Sequence, residues 1–307
     1  MANGSSWLHR AADSDIWWSF KSSSLTVVAA VVTVLIIGIA FLSPLLAPHT
    51  PFDPGSLSLS DGLKPPAWMT DGDWSFVLGT DDQGRDVLSS IMYGTRLSLV
   101  VGLASVIVSM AIGITLGLVS GYVGGTTDAV IMRIADVQLT FPAILVALLI
   151  DGVVRGLISV KRHDEIALFV IIGAIGLSFW VQYARTIRGS VLVETNTEYV
   201  QAARVNGLSP TLIMVRHVLP NVTGPVLVIA TINLGLAIIS EATLSFLGVG
   251  LPSTQPSLGT LIRLGNELLQ SGEWWITVFP GITLAALVLA VNLLGDWLRD
   301  ALNPKLR

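Results

Sequence analysis

Apolar residues run along the chain in six blocks, at 25–46, 97–122, 129–150, 167–184, 222–240 and 274–295, with polar segments between them. A hydrocarbon core about 30 Å thick takes about 20 residues of helix, and an unsatisfied backbone group in lipid costs several kcal/mol. Each block therefore predicts a membrane-crossing helix. The third is the least regular, with Arg133 and Asp136 near its start and Pro142 in its middle. The first is too long for the core of a signal peptide and is followed by "SPLLAPHTP" rather than a small-residue cleavage site, so it is expected to be retained. No internal repeat or low-complexity run interrupts the pattern.

Composition supports the same class. Of 307 residues 52% are hydrophobic and 12% charged, with a mean hydropathy of +0.73, against a charged fraction of about 25% in soluble domains. The expected fold class is an all-α integral membrane protein of six transmembrane helices. A net charge of −4 makes no electrostatic case for nucleic acid. Cysteine is absent, which removes disulfides and thiolate metal sites. His9, His49, His163 and His217 are scattered, so neither a metal site nor a nucleophile with its base is indicated. No catalytic residues are assigned, and the chain is expected not to be an enzyme by itself.

Lys and Arg placement sets the expected orientation. With the amino terminus inside, ten basic residues fall on the cytoplasmic side and seven outside, and both termini are cytoplasmic. The basic stretch "RGLISVKRHDE" in the 151–165 loop runs against this bias. Trp17, Trp18, Trp274, Trp275 and Trp297 suit the aromatic belt at the two water interfaces. The expected organisation is an amino-terminal segment 1–24, a first span 25–47, an outer loop 48–96, a five-helix core 97–298 with an inner loop at 190–221, and a tail 299–307.

The inner loop holds "EYVQAARVNGLSPTLIMVRHVLPN", from Glu198 to Asn221. Thr195 with Glu198 three residues later has the capping-box pattern, which predicts a helix start there. Gly207 suits the left-handed position past a helix end. Ser209 and Pro210 read as the N-cap and first position of a second helix running to about Pro220. At about 16 Å the first helix is too short to stand alone, so it needs a partner. Tyr199, Ala202 and Ala203 give it a bulky anchor beside two small residues, with Glu198 and Arg204 as a charged rim. Two surfaces fit: a groove on another protein, or the lipid headgroups.

This string resembles the cytoplasmic "EAA" loop of bacterial ABC importer permeases, with Glu198, Ala202, Ala203, Gly207, Leu219 and Pro220 at the matching positions and the first element spread into "EYVQAA". "LGTDDQGRDVLSSIMYGTRLSL", "SFLGVGLP" and the terminal "GDWLRDALNPKLR" further resemble the C-type permease of dipeptide and oligopeptide importers. The likeness runs from Leu25 onward and keeps the family's motif order. It implies the type I ABC importer permease architecture in a bacterial inner membrane, and import of dipeptides or short oligopeptides. The implied partners are a homologous B-type permease, two nucleotide-binding ATPase subunits that receive the loop, and a periplasmic peptide-binding protein. ATP and Mg would sit on those ATPase subunits, with no cofactor on this chain. In keeping with that, no G-x-x-x-x-G-K-S/T string is present.

Other candidates carry open alternatives. The outer loop holds Asp53, Asp61, Asp71, Asp73, Asp81, Asp82 and Asp86 against three basic residues. It reads as a contact surface for the binding protein, with Gly79 and Gly84 as turn residues and Arg85 pairing a carboxylate in "TDDQGRD" beside Asp86, or as a solvated acidic loop. Glu241 lies about 28 Å along its span, either lining the path or an outer gate, or as an interfacial carboxylate. Arg133 and Asp136 are spaced to neutralise each other. Gly113, Gly117 and Gly121 form a close-packing face. Nickel complexes or another small solute are an alternative cargo, and an ion-coupled secondary transporter is the alternative class.

Overall fold

The computed structural model describes residues 15–301 apart from 54, 56 and 253, and describes residues 15–18, 160 and 161 by backbone alone. Residues 302–307 of the expected tail 299–307 and most of the amino-terminal segment lie outside the described residues. All described regular structure is helical: α1 (Asp15–Ser22), α2 (Ser24–Phe41), α3 (Ser43–Leu46), α4 (Val87–Val123), α5 (Gly125–Leu139), α6 (Ala143–Leu157), α7 (Val160–Glu194), α8 (Glu198–Val205), α9 (Pro210–Ile213), α10 (Leu219–Val222), α11 (Gly224–Phe246), α12 (Leu258–Leu268) and α13 (Trp275–Ala301).

Five helices, α2, α4, α7, α11 and α13, are long and apolar enough to cross a membrane. The sixth crossing is a broken pair. The expected single span 129–150 divides into α5 and α6, bent by 95°. Pro142 causes the break: it has no N–H to donate, its ring clashes with the carbonyl of residue 138, and it drives Phe141 out of the helical region.

Helix ends also fall outside the apolar blocks. α4 starts at Val87, ten residues before the expected start at 97, because the Asp86 carboxylate caps it by accepting from the Ser89 N–H at 2.9 Å. The 151–165 stretch is two helix ends rather than a loop. Asp151 there accepts from Arg155 at 2.5 Å and meets the buried His163 ring at 3.1 Å.

Packing fixes the order of the helices. α4 and α7 run parallel in close contact, Gly113 lying against Tyr183, Gly117 against Ala184 and Ile187, and Gly121 against Val191. A Cβ on Gly113 would stand 2.4 Å from the Tyr183 Cβ, so the small-residue face expected on this span is the contact itself. Parallel neighbours require a return crossing, and α5 with α6 supplies it. α11 runs antiparallel to α4, with Ile238 beside Gly102 and Glu241 beside Ser98. On the other flank Ala40 of α2, Leu99, Ile238, Leu287 and Val291 form one buried cluster. Phe20 and Trp297 meet edge-on at 5.1 Å, so α1 and the last turns of α13 share one end of the bundle. That end also carries residues 195–222 and is called the loop end. The opposite end carries residues 47–86 and is called the cap end.

Asp136 departs from expectation. It bonds Arg185 of α7 at 2.5 Å instead of Arg133 on its own helix. Asp128 likewise receives both Arg188 N–H groups, at 2.5 and 2.6 Å, so acidic residues of α5 clamp onto α7.

Candidate coupling loop and the opposite cap

The loop end is built from side chains that face the bundle. In α8, Val200 and Ala203 are buried and join Tyr183, Ile187 and Val191 of α7, Val218, Val222 and Val226 in one cluster. Residues three apart share a helix face, so the opposite face carries Glu198, Gln201, Ala202 and Val205, all exposed. Val205 is 88% exposed. Tyr199, Ala202 and Ala203 were expected together on one outward face. The structure divides them, because Ala203 completes the inward stripe with Val200 while Ala202 points away. Arg204 leaves its place in the expected rim too: its guanidinium lies 5.1 Å from the Tyr122 ring centroid, bracing α8 against the end of α4.

The expected capping box does not form. Thr195 stays in the last turn of α7 and its hydroxyl donates to the Leu192 carbonyl. The N-cap of α8 is Thr197, whose hydroxyl donates to the Glu194 carbonyl, so the helix is 8 residues long rather than 11. Its other end follows the sequence. Gly207 has φ +74°, Leu208 N–H donates to Ala203 O at 3.2 Å and Gly207 N–H to Arg204 O at 3.0 Å, the paired bonds of a Schellman ending. Ser209 caps the next helix by accepting from Leu212 N–H at 3.4 Å, with Pro210 at its first position.

Past α9 the helix widens into a π-turn over Met214–Val218, where Leu219 N–H reaches Met214 O. Pro220 is the physical reason. It offers no N–H to the carbonyl of residue 216 and crowds it, and one extra residue in the turn relieves both. The two limbs of the loop are tied at Tyr199. Its hydroxyl donates to the Glu194 carboxylate and accepts from the Asn221 amide at 2.9 Å, while that amide also reaches His217 O at 2.8 Å. Burial, and then the hydrogen bond to Glu194, hold the Tyr199 phenol above the usual tyrosine range. α8 and the 209–222 limb are thus tied to each other and to α7.

The cap end closes on itself instead. Asp81 accepts from the N–H groups of Gln83 and Arg85 at 2.9 Å each and from Arg85 Nε at 2.8 Å. Both side chains are buried, so the pair is enclosed rather than solvated. Burial pushes the Asp81 carboxyl up, against the pull of Arg85. Gly79 and Gly84 have φ of +82° and +76°, and a Cβ on Gly84 would stand 2.4 Å from Ser58 O. Thr80 O accepts from Trp275 Nε1 at 3.1 Å, tying the cap to α13. Lys64 pairs with both Asp61 and Asp73.

Glu241 is fully buried rather than interfacial. It accepts from Ser98 of α4 and Ser245 of its own helix at 2.7 Å each. Leu258 N–H reaches Ser98 Oγ at 3.3 Å. One carboxylate therefore joins three elements at the cap end. Sequence reading missed these serines, since single hydroxyls in apolar runs carry no periodic signal. It also missed Val200 and Val205, whose opposite burial only the fold defines. Among the described residues no group of three or more His, Asp and Glu could hold a metal ion.

Six crossings around a parallel pair, with an exposed helical loop at one end and a folded cap at the other, define a polytopic membrane protein of the transporter class. Residues 113–307 match the family of the binding-protein-dependent transport system inner membrane component, and residues 14–66 match the N-terminal TM domain of oligopeptide transport permease C. The chain is 39% identical over 295 residues to the dipeptide transport system permease protein DppC of Escherichia coli K12, covering 95% of this chain and 93% of that one. It is 35% identical over 296 residues to the oligopeptide transport system permease protein OppC of Bacillus subtilis, covering 95% and 90%. It is 35% identical over 297 residues to the glutathione transport system permease protein GsiD of Pectobacterium atrosepticum, covering 95% and 91%.

The chain belongs to the binding-protein-dependent transport system inner membrane components, as a C-type permease of the peptide ABC importer family. It is a multi-pass inner-membrane subunit that works with a binding protein and leaves ATP hydrolysis to separate subunits. The ion-coupled secondary transporter is thereby set aside.

Proposed function

We propose that the chain forms half of a translocation path for dipeptides or short oligopeptides, pairing with a homologous B-type permease within the lipid bilayer. A periplasmic peptide-binding protein delivers the cargo. Two nucleotide-binding subunits, which hold ATP and Mg, drive it from the loop end, so that the loop end and both termini are cytoplasmic. The observation that carries this reading is the two-sided α8. One face is locked into the α7 and α11 core through Val200 and Ala203, and the other presents Glu198, Gln201, Ala202 and Val205 with nothing over them. A helix held this way transmits motion of a partner to the spans as a rigid body.

Within that reading, Glu198 and Ala202 contact the ATPase cleft, while Ala203, Tyr199 and Arg204 hold the helix on this chain. Gly207 and Pro220 shape the return limb. The cap motif of Gly79, Asp81, Gly84, Arg85 and Asp86 keeps a rigid docking platform for the binding protein, whose exposed acids include Asp53, Asp71 and Asp82. Glu241 acts at an outer gate by holding the start of α12 against α4. The organisation is segment 1–24, span 25–47, periplasmic loop 48–86, core 87–298 with the coupling loop inside 190–221, and tail 299–307. It differs from the sequence-based division only where α4 begins.

The test is uptake and ATPase turnover by the assembled transporter carrying Glu198→Lys. Normal insertion, retained ATPase activity and lost peptide uptake are expected; unchanged uptake would sink the coupling assignment. Cargo is tested by asking which loaded binding protein stimulates ATPase turnover. Stimulation by a nickel-loaded protein and not by a peptide-loaded one replaces the peptide reading with the metal-complex one.

A further inference from the structure

A cavity of about 350 Å³ opens at the cap end beside α4. Its wall comes from three segments: Phe52 of the cap, Tyr93, Arg96 and Val100 of α4, and Gln255 and Pro256 before α12. Neither the coupling loop nor the Asp81–Arg85 pair contributes to it. Phe52 and Tyr93 meet edge-on with ring centroids 5.8 Å apart, which fixes the aromatic wall. Glu241 fixes the opposite wall, since it accepts from the Ser98 hydroxyl that in turn receives the N–H of Leu258, two residues after Pro256.

Arg96 is the charged group of this cavity. It is exposed, and among the described residues no carboxylate lies within 4.0 Å of it. The cap's own cations are already engaged, Lys64 with Asp61 and Asp73, and Arg85 with Asp81. Arg96 lies nine residues past Val87, about 14 Å down the helix from its capped start. Below it the α4 surface continues through Leu103 and Ile107, each half exposed. A concave site with apolar and aromatic walls, one amide and one unpaired guanidinium suits an organic carboxylate carried on an apolar body. The guanidinium fork matches a carboxylate with two parallel hydrogen bonds.

Resting on the peptide-import reading, we propose that this cavity receives the carboxyl end of an incoming short peptide. Arg96 grips the terminal carboxylate, Phe52 and Tyr93 flank the last side chain, and Gln255 bonds the last peptide group. The site stands at the cap-end mouth of the path, where cargo released by the binding protein first meets this chain.

The chain has no cysteine, so Val100→Cys gives it a single thiol in the cavity wall. In the full transporter, reconstituted in nanodiscs with cysteine-free partner subunits, maleimide labelling of that thiol is measured without binding protein. A free-acid dipeptide slows labelling and its carboxyl-terminal amide does not. Adding Arg96→Gln abolishes the protection, and Arg96→Lys restores part of it. In uptake assays with the binding protein, Arg96→Gln raises KM for free-acid peptides about tenfold with kcat nearly unchanged. Labelling that ignores peptide but slows as anionic lipid is added assigns Arg96 to lipid phosphate and overturns the proposal. Protection by acid and amide alike overturns it too, as does wild-type KM in Arg96→Gln. If the wild-type transporter takes up peptide while any of these holds, only this inference fails; if it takes up no peptide, the cargo reading fails with it.

Discussion

The two ends of the bundle solve opposite problems with similar materials. Each is a polar segment between spans, each turns on glycines with positive φ, and each carries charged side chains. At the cap end the charges that hold the segment face inward, Asp81 and Arg85 buried together and Asp86 capping α4 from within, while Asp53, Asp71 and Asp82 stay exposed. At the loop end the apolar residues face inward and the charges stay in water, so Val200 and Ala203 anchor α8 while Glu198 remains exposed. A buried ion pair makes a segment rigid but brittle, because removing one partner leaves the other charged in a dry site. An apolar anchor with a bare opposite face leaves a surface available to a partner at little cost in stability.

The comparison can be broken by substitution. Asp81→Ala is expected to have the largest effect on stability, about 3–5 kcal/mol, because Arg85 stays buried without its carboxylate. It should appear as faster proteolysis of residues 47–86 in the purified transporter. Cleavage no faster than in wild type would mean that the pair does not hold the cap. At the loop end Gly207→Val should cost about 1–2 kcal/mol, since a Cβ disfavours the left-handed conformation. Gly207→Asn should lie close to wild type, as asparagine tolerates that conformation. Thermal unfolding of the two variants side by side checks the difference, and equal losses would show that side-chain size decides instead.

Tyr199→Phe removes the hydroxyl that ties α8 to Asn221 and Glu194, a loss of about 1 kcal/mol. Hydrogen exchange should then speed up in 209–222 and leave the cap untouched. Val205→Asp is expected to change stability least, within about 0.5 kcal/mol, because the residue touches almost nothing in this chain. Its effect should fall on coupling, with ATPase turnover no longer stimulated by the loaded binding protein. A large drop in melting temperature instead would place Val205 in the core.

Much of this molecule was legible in the sequence because lipid imposes a simple rule: backbone polar groups must be satisfied within the segment, so long apolar blocks become helices. Five crossings follow from that rule alone. Gly207, Ser209 and Pro210 were legible for a local reason, since helix endings depend on the conformational range and hydrogen-bonding groups of one or two residues. The Gly113, Gly117 and Gly121 face was visible as spacing, although not the partner it meets. The capping box at Thr195 and Glu198 misled because Thr195 belongs to the end of α7, where its hydroxyl goes to the Leu192 carbonyl, and Thr197 takes the N-cap of α8. The first turns of α4 were hidden by Ser89, Ser90 and Thr95, polar side chains that are buried within the protein.

By itself the sequence determined the membrane class, the family and the turn at Gly207, all properties of short stretches against a uniform solvent. Tertiary structure alone decided which face of α8 is free, that Asp136 bonds Arg185, that Asp81 and Arg85 are enclosed, and that Glu241 gathers hydroxyls from α4 and α11 while Ser98 takes the first N–H of α12. The last three depend on residues 4 to 160 positions apart being brought within hydrogen-bonding range, and the first on which apolar side chains the bundle covers. Local propensity and hydropathy contain no term for such a meeting; only the packing of the helices against one another supplies it.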